Sequence, residues 1–149
     1  LAEQQSKEIR MNRYVLTIYA NYIVVLQVLD TDGPLPALPL GEPDAAWRDV
    51  TGDTTAQPGM RMDYGPYGLT FSAIPASEHE WINNARMQQR FDAAERWLRF
   101  NPLQYRLDLG IASPADEAAL VAYKQYIVAV SEVKNQSVFP VLNWPVAPF

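Results

Sequence analysis

Asp49, Asp53 and Asp63 are the residues whose type and spacing come nearest to catalysis, because two loop carboxylates brought together can act as acid and base on a glycosidic bond. Nothing in their spacing singles out a pair, and aspartates among Gly52, Pro58-Gly59 and Gly65-Pro66 are more commonly turn formers. His79 is the single histidine and cysteine is absent. With that histidine in the first turn of an expected helix and no cysteine, the chain alone offers no thiolate nucleophile and no multi-histidine metal site, and a Ser-His-Asp triad is not expected of it. Gly52, Gly59, Gly65 and Gly68 are spread through turns and none opens a helix, which argues against a phosphate-cradling loop. The expectation is a non-enzymatic protein that uses no cofactor and no metal.

Binding chemistry is then the alternative. Arg86, Arg90, Arg96 and Arg99 cluster, but Glu80, Asp92 and Glu95 interleave with them, so they read as a solvated helix face. A formal net charge of −5 argues against gripping a nucleic-acid backbone, which needs a concentrated basic surface. Trp47, Tyr64 and Tyr67 lie near turns, where aromatic side chains either plug a small β lobe or stack on sugar faces. The most apolar stretch, Tyr14 to Leu29, is interrupted by Thr17, Asn21 and Gln27, so no membrane span is expected. No charged segment followed by an apolar run opens the chain, and a cytoplasmic location is the expectation.

Positioning these residues requires a fold, and a composition of 48% hydrophobic and 19% charged residues is that of a chain that folds. Arg13 to Asp30 is rich in Tyr, Val, Ile and Leu and is divided by Ala20-Asn21, which predicts two antiparallel strands. Prolines 34, 36, 39 and 43 then remove backbone donors, so that stretch reads as a surface loop or, less simply, a polyproline ligand. Trp47 to Thr51, Met60 to Tyr64 and Leu69 to Ile74 are bounded by Gly and Pro turns and predict further strands.

At Pro75 the apolar period changes from two to 3.6. Ser77 and Glu80 match a capping box opening a helix to about Phe100, with Trp81, Ala85, Met87, Phe91, Ala94, Trp97 and Leu98 on its apolar side. A short helix follows, capped by Asn101, with Leu103, Leu107 and Leu109 as apolar members and Gly110 as terminator. Ser113-Pro114-Ala115-Asp116 supplies a hydroxyl cap, a proline at the first helical position and a carboxylate at the positive end of the helix dipole. Ala119, Tyr123, Tyr126, Val130 and Val133 then repeat at steps of four and three, widened by Leu120 and Ile127. Residues 138–149 hold three prolines among large apolar side chains and must lie extended, either closing the core of the two long helices or serving as an apolar hook for a partner.

The fold expected is thus α+β: an antiparallel β lobe over residues 11–75, then a helical lobe with two longer helices, one short helix and an extended apolar tail over 76–149. Residues 1–10 are polar and lack an apolar stripe. Lys7-Glu8 admit a purine-rich, ribosome-binding coding sequence upstream of Met11, so this segment reads as a translated leader or appended extension before a natural start at Met11. The competing reading is a short N-terminal helix.

The stretch from Leu107 onward resembles the C-terminal region of phage tail fibre assembly proteins. That family shows a Leu-Gly-x-Ala-Thr/Ser step, an acidic helix start, a Leu-x-x-Trp/Tyr-Lys-x-Tyr core and a terminal Trp-Pro dipeptide. Leu109-Gly110, Ala112-Ser113, Leu120, Tyr123-Lys124, Tyr126, Val130 and Trp144-Pro145 match in order. The departures are Tyr123, where tryptophan is usual, and Gln125-Tyr126-Ile127, where a Tyr-Arg pair is common. The resemblance implies a chaperone of a phage, prophage or tailocin particle that binds a trimeric tail fibre protein, assists its folding in the bacterial cytoplasm and stays on the fibre tip in some cases. Self-association is compatible with it; nucleic acid and membrane are not expected partners. Fibre-binding candidates are Trp47, Tyr64, Tyr67, Tyr123, Tyr126, Trp144 and Pro145. The rival reading is a small carbohydrate- or receptor-binding module of a tail tip.

Overall fold

The computed structural model describes residues 11–149. The expected leader over residues 1–10 lies outside the described residues. By its internal contacts the chain divides into two compact units: a sheet unit, running up to Leu38 and resuming at Asp44–Ala73, and a helical unit, made of Pro39–Pro43 and Ile74–Phe149.

The sheet unit contains β1 (Asn12–Ala20), β2 (Tyr22–Thr31), β3 (Ala46–Asp49), β4 (Met60–Gly65) and β5 (Gly68–Ala73) in the order β3-β1-β2-β4-β5, all antiparallel. β1 and β2 turn at Asn21, whose φ of 68° is the left-handed conformation that asparagine tolerates better than most side chains. Their register slips once: Leu16 faces Gln27 but Thr17 faces Val25, so Leu26 is an inserted bulge residue. Val24, Val25 and Leu26 are all buried at this point, as Val15 to Ile18 are on β1. One face of the sheet carries a core of Val15, Val25 and Met62, closed by Val50 and Ala56 from the loop after β3, with Ile23, Leu69 and Phe71 packed against it.

That loop is pinned by Arg13. Its backbone N–H donates to Thr51 Oγ1 at 3.0 Å, and its guanidinium donates to the carbonyls of Asp53 and Ala56 at 3.3 and 3.2 Å.

The helical unit contains α1 (His79–Phe100), α2 (Leu103–Asp108) and α3 (Pro114–Glu132), with a short 3-10 turn before α1 and another after α3. The expected capping box at Ser77 does not form. A hydroxyl caps from the last residue outside the helix, and here Pro75 takes that place: Ala76–Glu78 already turn, with Glu78 N–H on the Pro75 carbonyl at 2.9 Å. Asn101 likewise does not cap α2, because its side-chain amide and its backbone N–H both turn back to the Trp97 carbonyl at 3.0 Å and close α1.

Gly110 does terminate α2, at φ 70°. Ile111 N–H reaches the Arg106 carbonyl and Gly110 N–H the Leu107 carbonyl, each at 3.0 Å, the paired bonds of a Schellman motif. Ser113 and Asp116 form the full capping box of α3, with reciprocal bonds of 3.1 and 3.0 Å.

The core of this unit joins Met87 and Ala94 of α1, Tyr126 and Val130 of α3, Val133 just beyond it, and Val141 and Trp144 of the tail. Phe91, Tyr123 and Ile127 pack against it, as the α3 stripe requires. The α1 stripe needs correction at its start: Ile82 is fully buried and Trp81 is half exposed. The tail lies extended, with Phe149 stacked on Trp97 at 4.9 Å and edge-on to Tyr126, and with Phe139 stacked on His79 at 3.8 Å. No helix among the described residues is long and apolar enough to cross a membrane.

Candidate partner-binding surfaces

The three aspartates are held as parts of turns and surface pairs. Asp49 Oδ1 accepts from the backbone and hydroxyl of Thr51 at 2.9 and 2.6 Å, bonds that hold its carboxyl below the usual aspartate value. For Asp53, burial pushes the carboxyl up, but donation from Ala56 N–H at 2.8 Å and from Thr55 outweighs this, so it too is lowered. Asp63 pairs with Arg61 at 3.0 Å. A general acid needs a raised pKa; Asp49 and Asp53 are built the other way.

The candidate aromatics divide into exposed and enclosed groups. In the sheet unit, Tyr67 sits at the tip of the β4–β5 hairpin and is fully exposed. Tyr64 is largely exposed, its hydroxyl accepting from Arg48 Nη1 at 2.8 Å. Trp47 is half-buried and spends its indole N–H on the Pro36 carbonyl at 3.1 Å. In the helical unit, Tyr123 is partly buried beneath Trp97, ring centroids 6.2 Å apart, and Tyr126 and Trp144 are core residues. Burial raises the hydroxyl pKa of both tyrosines. Pro145 is partly exposed beside Trp144. The structure thus gathers Tyr126 and Trp144 into one cluster inside the fold, whereas Tyr64 and Tyr67 present their rings to solvent.

Trp144 is fixed by an ionic cluster that charge patterning misses. Arg86, expected on a solvated face, is 1% exposed, and Glu42 in the proline-rich loop is 4% exposed. Arg86 donates to Glu42 Oε1 through Nη2 and to the Val141 carbonyl through Nη1 at 2.8 Å. Arg90 donates to Glu42 Oε2 at 3.1 Å and to the Gly41 carbonyl at 2.7 Å. Both guanidiniums lie over the Trp144 ring, at 5.0 and 3.9 Å from its centroid. Burial lowers Arg86 to about 10 even though Glu42 opposes the shift. The loop therefore is not free surface throughout: Pro39–Pro43 is packed into the helical unit. A Cβ on Gly41 would stand 2.5 Å from the Trp144 carbonyl oxygen, so glycine is what permits the approach. The available sequence signal was one carboxylate in a proline-rich loop and arginines four apart on a helix; neither pairs with the other until the chain is folded.

Around α2 the reverse holds, and residues expected to be core are outside. Only Leu103 is buried; Leu107 and Leu109 are exposed, the latter 73%. Phe100 is 83% exposed, Tyr105 72%, and Ile111 is exposed too. A helix of six residues makes less than two turns, and one inward position is all it buries. Beside these residues is an open groove of about 410 Å3, lined by Glu95, Leu98, Arg99, Pro102, Gln104 and Tyr105.

The family model described as "Caudovirales tail fibre assembly protein, lambda gpK" matches residues 52–149. The match takes in β4, β5 and all three helices. No curated protein and no solved structure matches the chain.

Proposed function

The chain belongs to the Caudovirales tail fibre assembly protein family, and from that premise we propose that it is a non-catalytic chaperone that binds a tail fibre polypeptide, assists its folding and trimerisation in the bacterial cytoplasm, and stays at the fibre tip where the particle retains it. The observation that carries the binding step is the apolar surface around α2. Phe100, Tyr105, Leu107, Leu109 and Ile111 are all exposed within one short stretch of chain, and such a concentration of exposed apolar side chains supports an interaction site. An unassembled fibre chain presents the complementary problem, apolar seams and unpaired strands that aggregate unless covered. Transient cover by apolar contact on one side, with a net charge of −5 keeping the chaperone soluble, suits that task.

Of the aromatic candidates, Tyr64 and Tyr67 support direct contact with fibre, since their rings are accessible. Trp47, Tyr123, Tyr126, Trp144 and Pro145 act in this reading by fixing the surfaces that touch it. The same two exposed tyrosines favour a second reading, a glycan- or receptor-binding module, though Trp47 is too constrained to join them.

The test is a binding assay between the purified protein and the fibre polypeptide, comparing wild type with Tyr105→Ser and Leu109→Ser. These exposed positions should leave melting unchanged within about 0.5 kcal/mol while weakening fibre binding by about tenfold or more. Undiminished binding in both variants contradicts the α2 surface. Glycan binding lost in Tyr67→Ala, with no effect on fibre, favours the second reading.

A further inference from the structure

The two edges of the sheet are built differently. β3 is four residues long, carries Arg48 and Asp49, and is tied to the preceding loop through the Trp47 indole. β5 is six residues long, reads Gly-Leu-Thr-Phe-Ser-Ala, and pairs with β4 in unbroken register from Ala73 to Gly68. Proteins blunt their edges with short strands, charges, prolines or bulges, because an open ladder pairs with any extended chain. β3 has the first two of these devices; β5 has none.

Among the described residues β5 is also the outermost strand, and one side of its backbone has no ladder neighbour there. The Pro66-Tyr67 turn is closed by the pair Gly65 and Gly68. In a two-residue hairpin that closing pair exchanges hydrogen bonds, and alternation then turns the N–H and C=O of Leu69, Phe71 and Ala73 outward. Thr70 and Ser72, the side chains between them, are exposed, small and neutral.

We propose that β5 is a strand-pairing edge on which an unpaired, uncharged strand of the tail fibre polypeptide adds to the sheet. A row of alternating donors and acceptors is complementary to extended backbone rather than to a helix or a small molecule. With no charge along β5, a charged partner strand would lose hydration and gain no ion pair, so a neutral strand is selected. The net charge of −5 on each copy opposes self-pairing of two chains at this edge. The family match begins at Gly52, so the β4–β5 hairpin lies within the shared region and the blunted edge β3 lies outside it. The inference rests on the reading above that the protein binds fibre, and it adds how: by main-chain hydrogen bonds on the sheet unit, separate from the apolar surface around α2.

Hydrogen exchange on the wild-type protein, alone and with the fibre polypeptide, tests it. The amides of Leu69, Phe71 and Ala73 should exchange freely in the lone protein and slow by about tenfold or more in the complex. A companion variant, Thr70→Lys with Ser72→Glu, places charges on the edge opposite Asp63 and Arg61, so β4–β5 pairing is kept while the added strand is opposed. It should melt like wild type and bind fibre at least about tenfold more weakly. A complex that forms with β5 amides unprotected overturns this inference and leaves the chaperone reading standing. Failure to form any complex overturns both. Protection that appears in the lone protein and grows with its concentration makes the occupant a second copy and also overturns it.

Discussion

Glu42 neutralises two arginines that have little access to water. Removing one partner of a buried pair leaves an uncompensated charge, so Glu42→Ala should cost the helical unit about 3–5 kcal/mol in urea denaturation. Replacing the pair by apolar groups, as Glu42→Leu with Arg86→Met, should cost less than the sum of the single changes, and a double-mutant cycle measures that coupling. An additive cycle would show that Glu42 and Arg86 do not depend on each other. Gly41→Ala tests the same junction sterically: the new methyl meets the Trp144 backbone, and a loss of about 1–3 kcal/mol is expected, against a small gain if the site were open. The carboxylates at the surface act on the pH axis. Asp116 is lowered from 3.8, first by the Ser113 backbone hydrogen bond, so its contribution is fully present above that pH and is lost as pH falls through the lower folded value. Asp116→Asn should therefore flatten the acid limb of a plot of Tm against pH; an unchanged limb contradicts the capping role.

Among the elements, those legible in the sequence were the ones whose signals are local. Asn21 between two β-branched runs, the Pro-Gly turns, the Ser113 capping box and the Gly110 terminator each act within a few residues, and each is where the sequence places it. What was not legible depends on contacts distant in sequence. Arg86 and Glu42 are 44 residues apart, and no helical period distinguishes a buried arginine from a solvated one. Ser77 failed as a cap for a local reason, since Pro75 starts the turn earlier, and Asn101 served the helix before it instead of the helix after it. Leu107 and Leu109 look like core by residue type, but the six-residue α2 buries Leu103 alone and leaves both outside. Among the aromatics expected to contact fibre, the sequence does not separate exposed Tyr64 and Tyr67 from enclosed Tyr126 and Trp144. For α3 the stripe predicts burial and its energetics follow: Val130→Ala should destabilise by about 1–3 kcal/mol, and a change indistinguishable from zero would contradict its place between α1 and the tail.

At the scale of the molecule, the fold pairs a sheet unit that has one unblunted edge with a helical unit that keeps an apolar corner exposed while enclosing its own tail. The enclosed tail matters to function through stability: Val141 and Trp144 complete the core beneath α1 and α3, so removing residues 138–149 should lower melting sharply before any effect on fibre is considered. Whether the protein is needed for fibre assembly is decided by expressing the tail fibre polypeptide with and without it and measuring the yield of soluble, detergent-resistant trimer. A chaperone gives abundant trimer when present and aggregated or monomeric fibre when absent. Equal trimer in both conditions would rule out that role.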